Sequence, residues 1–113
     1  MTIQEMTERA VKVRELYDQL NLKNHGIKWN EERLMAGFVG DVGDLSKIIM
    51  GKAGVRVIDD VDAKLVHELS DCLWSLLVLA DRYGIEMEEA FTRSMDALEV
   101  RANKAIASGV PIN

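Results

Sequence analysis

Apolar residues recur with the 3.6-residue period of a helix in four stretches of the chain, separated by segments that carry turn signals. The first stretch runs from about Ile3 to Leu20. Thr2 and Glu5 form a capping-box pattern at its start, and Ile3, Met6, Ala10, Val13, Leu16 and Leu20 mark its buried stripe. Asn21 to Lys28 reads as a loop. Asn30 is placed to cap a second helix from Glu31, with Leu34, Phe38, Leu45 and Ile49 inward and Gly51 as its stop. Lys52 to Ile58 has no clear period and reads as a connector. Asp59 and Asp60 supply the next cap, and Gly84 closes a third helix over Val61 to Tyr83. A fourth runs from about Met87 to Ile106, with Ala90, Phe91, Met95, Leu98 and Ala102 inward, and Ala107 to Asn113 is expected to fray.

The pattern predicts an all-α fold, an antiparallel four-helix bundle in a single domain over residues 1–113 with its core at about 3–106. The middle of the third helix is apolar nearly all the way round, from Leu69 through Cys72, Leu73 and Trp74 to Leu79. Such a helix is buried centrally or between subunits, so a homodimer or homotetramer is expected.

Two features break the apolar pattern. Asp41-x-x-Asp44 and Glu68-x-x-Asp71 lie inside the second and third helical stretches, flanked by Phe38, Val39, Val42 and Leu45 and by Leu69, Cys72 and Leu73. Spacing of three puts both members of a pair on one helix face. Positions 41 and 45 are about 40° apart on the helical wheel, so the acidic face borders the core stripe. Asp is also a poor interior helix residue. If the two helices face each other, four carboxylates share one small volume, and hard oxygen donors suit Mg²⁺ or Mn²⁺. The alternative for any charged pair is a solvated face.

Gly37, Gly40 and Gly43 recur at intervals of three on the same helix, each costing up to about 1 kcal/mol relative to Ala. Close helix packing or room for a phosphate or base would each account for them. Trp29, just before the second helix, is either a core side chain or a platform for a stacked base. Lys47, one turn beyond Asp44, and Arg93 and Arg101 on the fourth helix are candidate phosphate contacts, with solvated cations as the alternative. Arg82 carries the same ambiguity, and His67 points away from Glu68 and receives no role.

Composition narrows the possibilities. The chain has 113 residues, 48% apolar and 29% charged, an ordinary balance for a folded domain. A net charge of −5 argues against nucleic acid or an anionic membrane surface as partner. Cys72 is the only cysteine, so there is no disulfide framework, and one Cys with two distant His makes zinc improbable. The segment MTIQEMTERA has no signal-peptide core, and the run from Cys72 to Ala80 is far too short to span a bilayer. A cytoplasmic protein is expected. No G-x-x-x-x-G-K-[ST] loop is present, nor spacing that suggests a Ser-His-Asp or Cys-His arrangement.

The stretch GFVGDVGDL, the 23 residues between Asp44 and Glu68, and the run HELSDCLWSLLVLADRYGIEMEEAF together resemble the all-α nucleotide pyrophosphohydrolases of the MazG superfamily, and especially the small dCTP-pyrophosphatase branch. The resemblance covers Trp29 to about Arg101. It implies that Asp41, Asp44, Glu68 and Asp71 hold Mg²⁺ and that a nucleoside triphosphate is cleaved between its α- and β-phosphates. The first pair is Asp-x-x-Asp where that family favours Glu-x-x-Glu. A Glu that often precedes the first ligand is here Gly40. A substrate-facing Lys and Asn on the fourth helix are here Ser94 and Leu98, with Arg93 displaced by one and Arg101 retained. These departures leave open a non-catalytic helical dimerisation or interaction module on the same scaffold. Phosphoribosyl-ATP pyrophosphatase, a related fold, lacks support because the expected Ser-Tyr-Thr segment is missing.

Overall fold

The structure, a computed structural model, describes residues 1–109. Four helices make up the fold: α1 (Ile3–His25), α2 (Glu31–Lys52), α3 (Val61–Arg82) and α4 (Met87–Ser108). There is no strand among the described residues, and no helix is long and apolar enough to cross a membrane.

Local chemistry explains most of the helix ends. The Thr2 hydroxyl accepts from the Glu5 N–H at 3.1 Å while the Thr2 N–H donates to the Glu5 carboxylate at 3.1 Å, a complete capping box. The Asn30 side chain accepts from the Arg33 N–H at 2.9 Å. Three ends differ from expectation. The segment Asn21–His25 is helical rather than loop, because nothing in it breaks a helix before Gly26, which adopts φ 70° and donates to the Leu22 carbonyl. Likewise α2 runs through Gly51 to Lys52, and the left-handed turn falls at Gly54. Gly51 instead makes room for the connector, since a Cβ there would lie 2.8 Å from Ile58 Cδ1. Asp60 does precede α3, but in a left-handed conformation with φ 51°, and its side chain caps nothing. At the far end α4 reaches Ser108; the expected fraying of residues 110–113 lies outside the described residues.

The centre of the fold is α3, which packs extensively on α2 and also on α1. Ala10, Leu34, Leu77 and Val78 form the core, with Met6, Trp29 and Trp74 against it. The inward line of α1 differs from the apolar stripe. After Ala10 it passes through Arg14 and Asp18, both buried, while Leu16 and Leu20 are half exposed. Spacing of four continues one helix face, so a charged pair holds the positions next to the core.

Helix α4 packs mainly against α1, and none of its residues is buried; Phe91, Met95 and Leu98 remain exposed. Leu69, Leu73 and Leu76 on α3 are also about half exposed. The radius of gyration is 18.0 Å, against about 13 Å for a compact domain of this length.

Candidate metal centre and its aromatic cavity

Because α2 and α3 pack side by side, the two acidic pairs meet. Ligand oxygens of Asp41, Asp44 and Glu68 all lie within 4.8 Å of one another. Glu68 also belongs to a second group with Asp71 and His67, again within 4.8 Å. No lysine or arginine pairs with any of the four carboxylates among the described residues; the one partner is His67, whose Nε2 lies 3.1 Å from Asp71 Oδ2.

The electrostatics follow from this crowding. Burial, then the Asp71 and Asp44 charges, push the Asp41 carboxyl above its ordinary range, with His67 opposing. Burial and the charges of Asp44 and Asp71 do the same to Glu68. The Cys72 thiol is pushed up by its own burial first and by Asp41, Glu68 and Asp71 next, which disfavours its thiolate. Four carboxylates drawn from two helices, with no lysine or arginine paired to them, are a donor set for hard divalent cations, which favour carboxylate oxygens.

Beside the carboxylates lies a cavity of about 210 Å³, lined by Arg14, Trp29, Gly37, Asp41, Asp71 and Trp74 among others. Each wall has a local cause. Trp74 is fixed by its indole N–H, which donates to the Ala10 carbonyl at 3.0 Å. Trp29 lies against Gly37, where a Cβ would sit 3.0 Å from its ring, so one glycine of the stripe serves close packing. Gly40 and Gly43 face open space. Arg14 Nε donates to Asp18 Oδ1 at 3.1 Å, and its guanidinium carbon lies 5.3 Å and 5.6 Å from the Trp29 and Trp74 ring centroids. Arg82 clamps the entry to α2: Nη1 donates to the Trp29 carbonyl at 3.2 Å and to Glu31, and Nη2 lies 3.6 Å from Asp18. It is a tether between α1, α2 and α3.

A larger cavity of about 520 Å³ lies between the first half of α1 and the α3–α4 turn, away from the four carboxylates. Its rim carries Glu8, Glu15, Asp81, Glu86 and Glu88 against Lys12, a field that repels anions.

The structure thus brings Asp41, Asp44, Glu68 and Asp71 together and sets Trp29 beside them. Lys47 is exposed on α2 and does not line the cavity. Arg93 pairs with Glu89 on the exposed surface of α4, and Arg101 is exposed on the same helix. Sequence reasoning passed over Arg14 and Asp18, and read Trp74 only as an apolar position of the third helix. A usable signal existed: 10, 14 and 18 lie on one helix line, and an Arg/Asp pair on a core-facing line is unusual.

Fold and site together define an all-α protein with an acidic cluster that could hold a divalent cation next to an aromatic cavity. The model of the MazG nucleotide pyrophosphohydrolase domain matches residues 29–106, and the chain belongs to that family. No curated protein and no solved structure matches the chain.

Proposed function

We propose that this protein is a Mg²⁺-dependent nucleoside triphosphate pyrophosphohydrolase, converting a (d)NTP to (d)NMP and pyrophosphate in a house-cleaning or nucleotide-pool role. The observation that carries this reading is the meeting of Asp41, Asp44, Glu68 and Asp71 with no lysine or arginine among them, in a chain of this family. Those four would hold Mg²⁺, with Mn²⁺ as a substitute, and the bound ion supplies neutralisation of the triphosphate oxygens and polarisation of the α-phosphorus. A carboxylate oxygen of the cluster that is free of the cation accepts the proton of the attacking water. Trp29, which lines the cavity, would flank the nucleotide, and Lys47, exposed one turn beyond Asp44, would contact the triphosphate tail.

Arg93 and Arg101 complete the substrate side in an assembly. The uncovered faces of α3 and α4 support a homodimer or homotetramer, in which a second copy buries Leu73, Leu76, Phe91 and Leu98. The single helical domain, core about 3–106, is then finished between subunits, in the cytoplasm.

The test is pyrophosphate release from a (d)NTP panel with Mg²⁺, repeated with EDTA and with Asp44→Asn and Glu68→Gln. Release that EDTA and both substitutions abolish is expected. Silence across the whole panel with Mg²⁺ and Mn²⁺ overturns the enzyme reading in favour of a binding module.

A further inference from the structure

Arg14 is a cation held where a purely structural one would be wasteful. Its side chain is 10% exposed, yet its only hydrogen bond is from Nε to Asp18. Among the described residues no buried side-chain nitrogen or oxygen lacks a partner. The two Nη atoms make no hydrogen bond and so are not sealed off, and Arg14 lines the cavity beside the carboxylates. Asp18 is itself 6% exposed and lies within 3.6 Å of Arg82, so the guanidinium is anchored through Nε, with its carbon 5.3 Å and 5.6 Å from the two indole centroids. Asp41 and Asp71 line the same cavity. At about 210 Å³ the space is smaller than a pocket for a whole drug-sized ligand, and suits one ring system whose charged appendage lies outside, on the carboxylates. Arg14 belongs to α1, outside the segment that carries the family match.

We propose that Arg14 determines base specificity by donating from Nη1 and Nη2 to a nucleobase edge that presents two adjacent acceptors. This rests on the pyrophosphohydrolase reading for the identity of the ligand as a nucleotide. A guanidinium offers donors only, in a rigid planar fork. Guanine presents O6 beside N7, and cytosine presents O2 beside N3. Adenine and thymine or uracil alternate donors with acceptors along every edge, so one arm of the fork would meet an N–H. Trp29 and Trp74 wall the cavity with apolar surface that does not distinguish bases, and the fork supplies the choice. A bidentate pair of this kind discriminates by roughly 5- to 150-fold.

The experiment has two arms. In the first, kcat and KM are measured for dGTP, dCTP, dATP and dTTP with the native protein and with Arg14→Lys and Arg14→Met. Native preference for dGTP or dCTP is expected, the two separating guanine from cytosine. Arg14→Lys, which keeps the charge beside Asp18 and loses the fork, should remove at least fivefold of that preference through KM. In the second arm, binding of the four deoxynucleoside monophosphates is followed by indole fluorescence, which needs no turnover. Selective binding of dGMP or dCMP, lost in Arg14→Lys, sustains the proposal even if no triphosphate is cleaved. Native preference for adenine or thymine overturns it, as does full selectivity in Arg14→Lys. An equal loss for all four bases in both variants would show Arg14 to be a tether and also overturns it.

Discussion

Glu68 is the carboxylate shared by both acidic groups, so neutralising it tests the whole electrostatic account. In the metal-free protein at neutral pH, Glu68 faces Asp41, Asp44 and Asp71. Two unit charges 4.8 Å apart repel by about 0.9 kcal/mol in water. Three such partners give just under about 3 kcal/mol, and a Debye length of about 8 Å at physiological salt reduces this to about 1.5. His67 offsets part of that when protonated. Glu68→Gln should therefore stabilise the metal-free protein by about 1 kcal/mol, or about 4 °C in Tm for a chain of this size. The pH dependence has a definite sign. Glu68 has a raised folded-state pKa, so its protonation favours the fold at low pH, and that benefit is lost as pH rises through the raised value. The Tm gap between variant and native protein should consequently close as pH falls towards about 4, where both are neutral at this position.

Metal reverses the order. Mg²⁺ at a hundredfold excess over its Kd adds about 2.7 kcal/mol to the native protein, and the variant should gain much less. Thermal unfolding followed by circular dichroism, in EDTA and in saturating Mg²⁺ across pH, reads all three effects. Destabilisation of Glu68→Gln in EDTA, or an undiminished Mg²⁺ response, would refute the reasoning. Such a result would mean that the carboxylates repel too weakly to constitute a cation site.

Other substitutions probe the frame around the site. Gly40→Ala meets nothing within 4 Å and should stabilise the chain by up to about 1 kcal/mol in urea denaturation. Gly37→Ala, in contrast, forces the Trp29 ring to shift and should alter indole fluorescence and raise KM. Asp60→Gly relieves a left-handed residue that caps nothing, with a gain of about 0.5–1 kcal/mol expected in the same assay. Trp74→Phe removes the donor to the Ala10 carbonyl and should cost about 1 kcal/mol, with weaker nucleotide binding seen by calorimetry.

Much of this protein is written in local sequence. Helix periodicity placed four helices with no strand, the Thr2/Glu5 and Asn30 caps act as their side chains dictate, and the two acidic pairs stand out because charge interrupts an apolar face. These signals are legible because each depends on residues three or four positions apart. The stop at Gly51 misled because a glycine that makes room for Ile58 looks, in one dimension, like a glycine that ends a helix. The α1 stripe misled because burial follows what the neighbouring helices offer. Trp29 and Trp74 offered aromatic faces, so Arg14 turned inward and Leu16 did not. Only tertiary packing decided that Glu68 would meet Asp41 and Asp44, that Arg14 would be buried against Trp29 and Trp74, and that α4 would stand largely uncovered. The reason is one of range: backbone hydrogen bonds and capping are settled within a few residues, whereas the convergence of charges depends on how whole helices lie against each other.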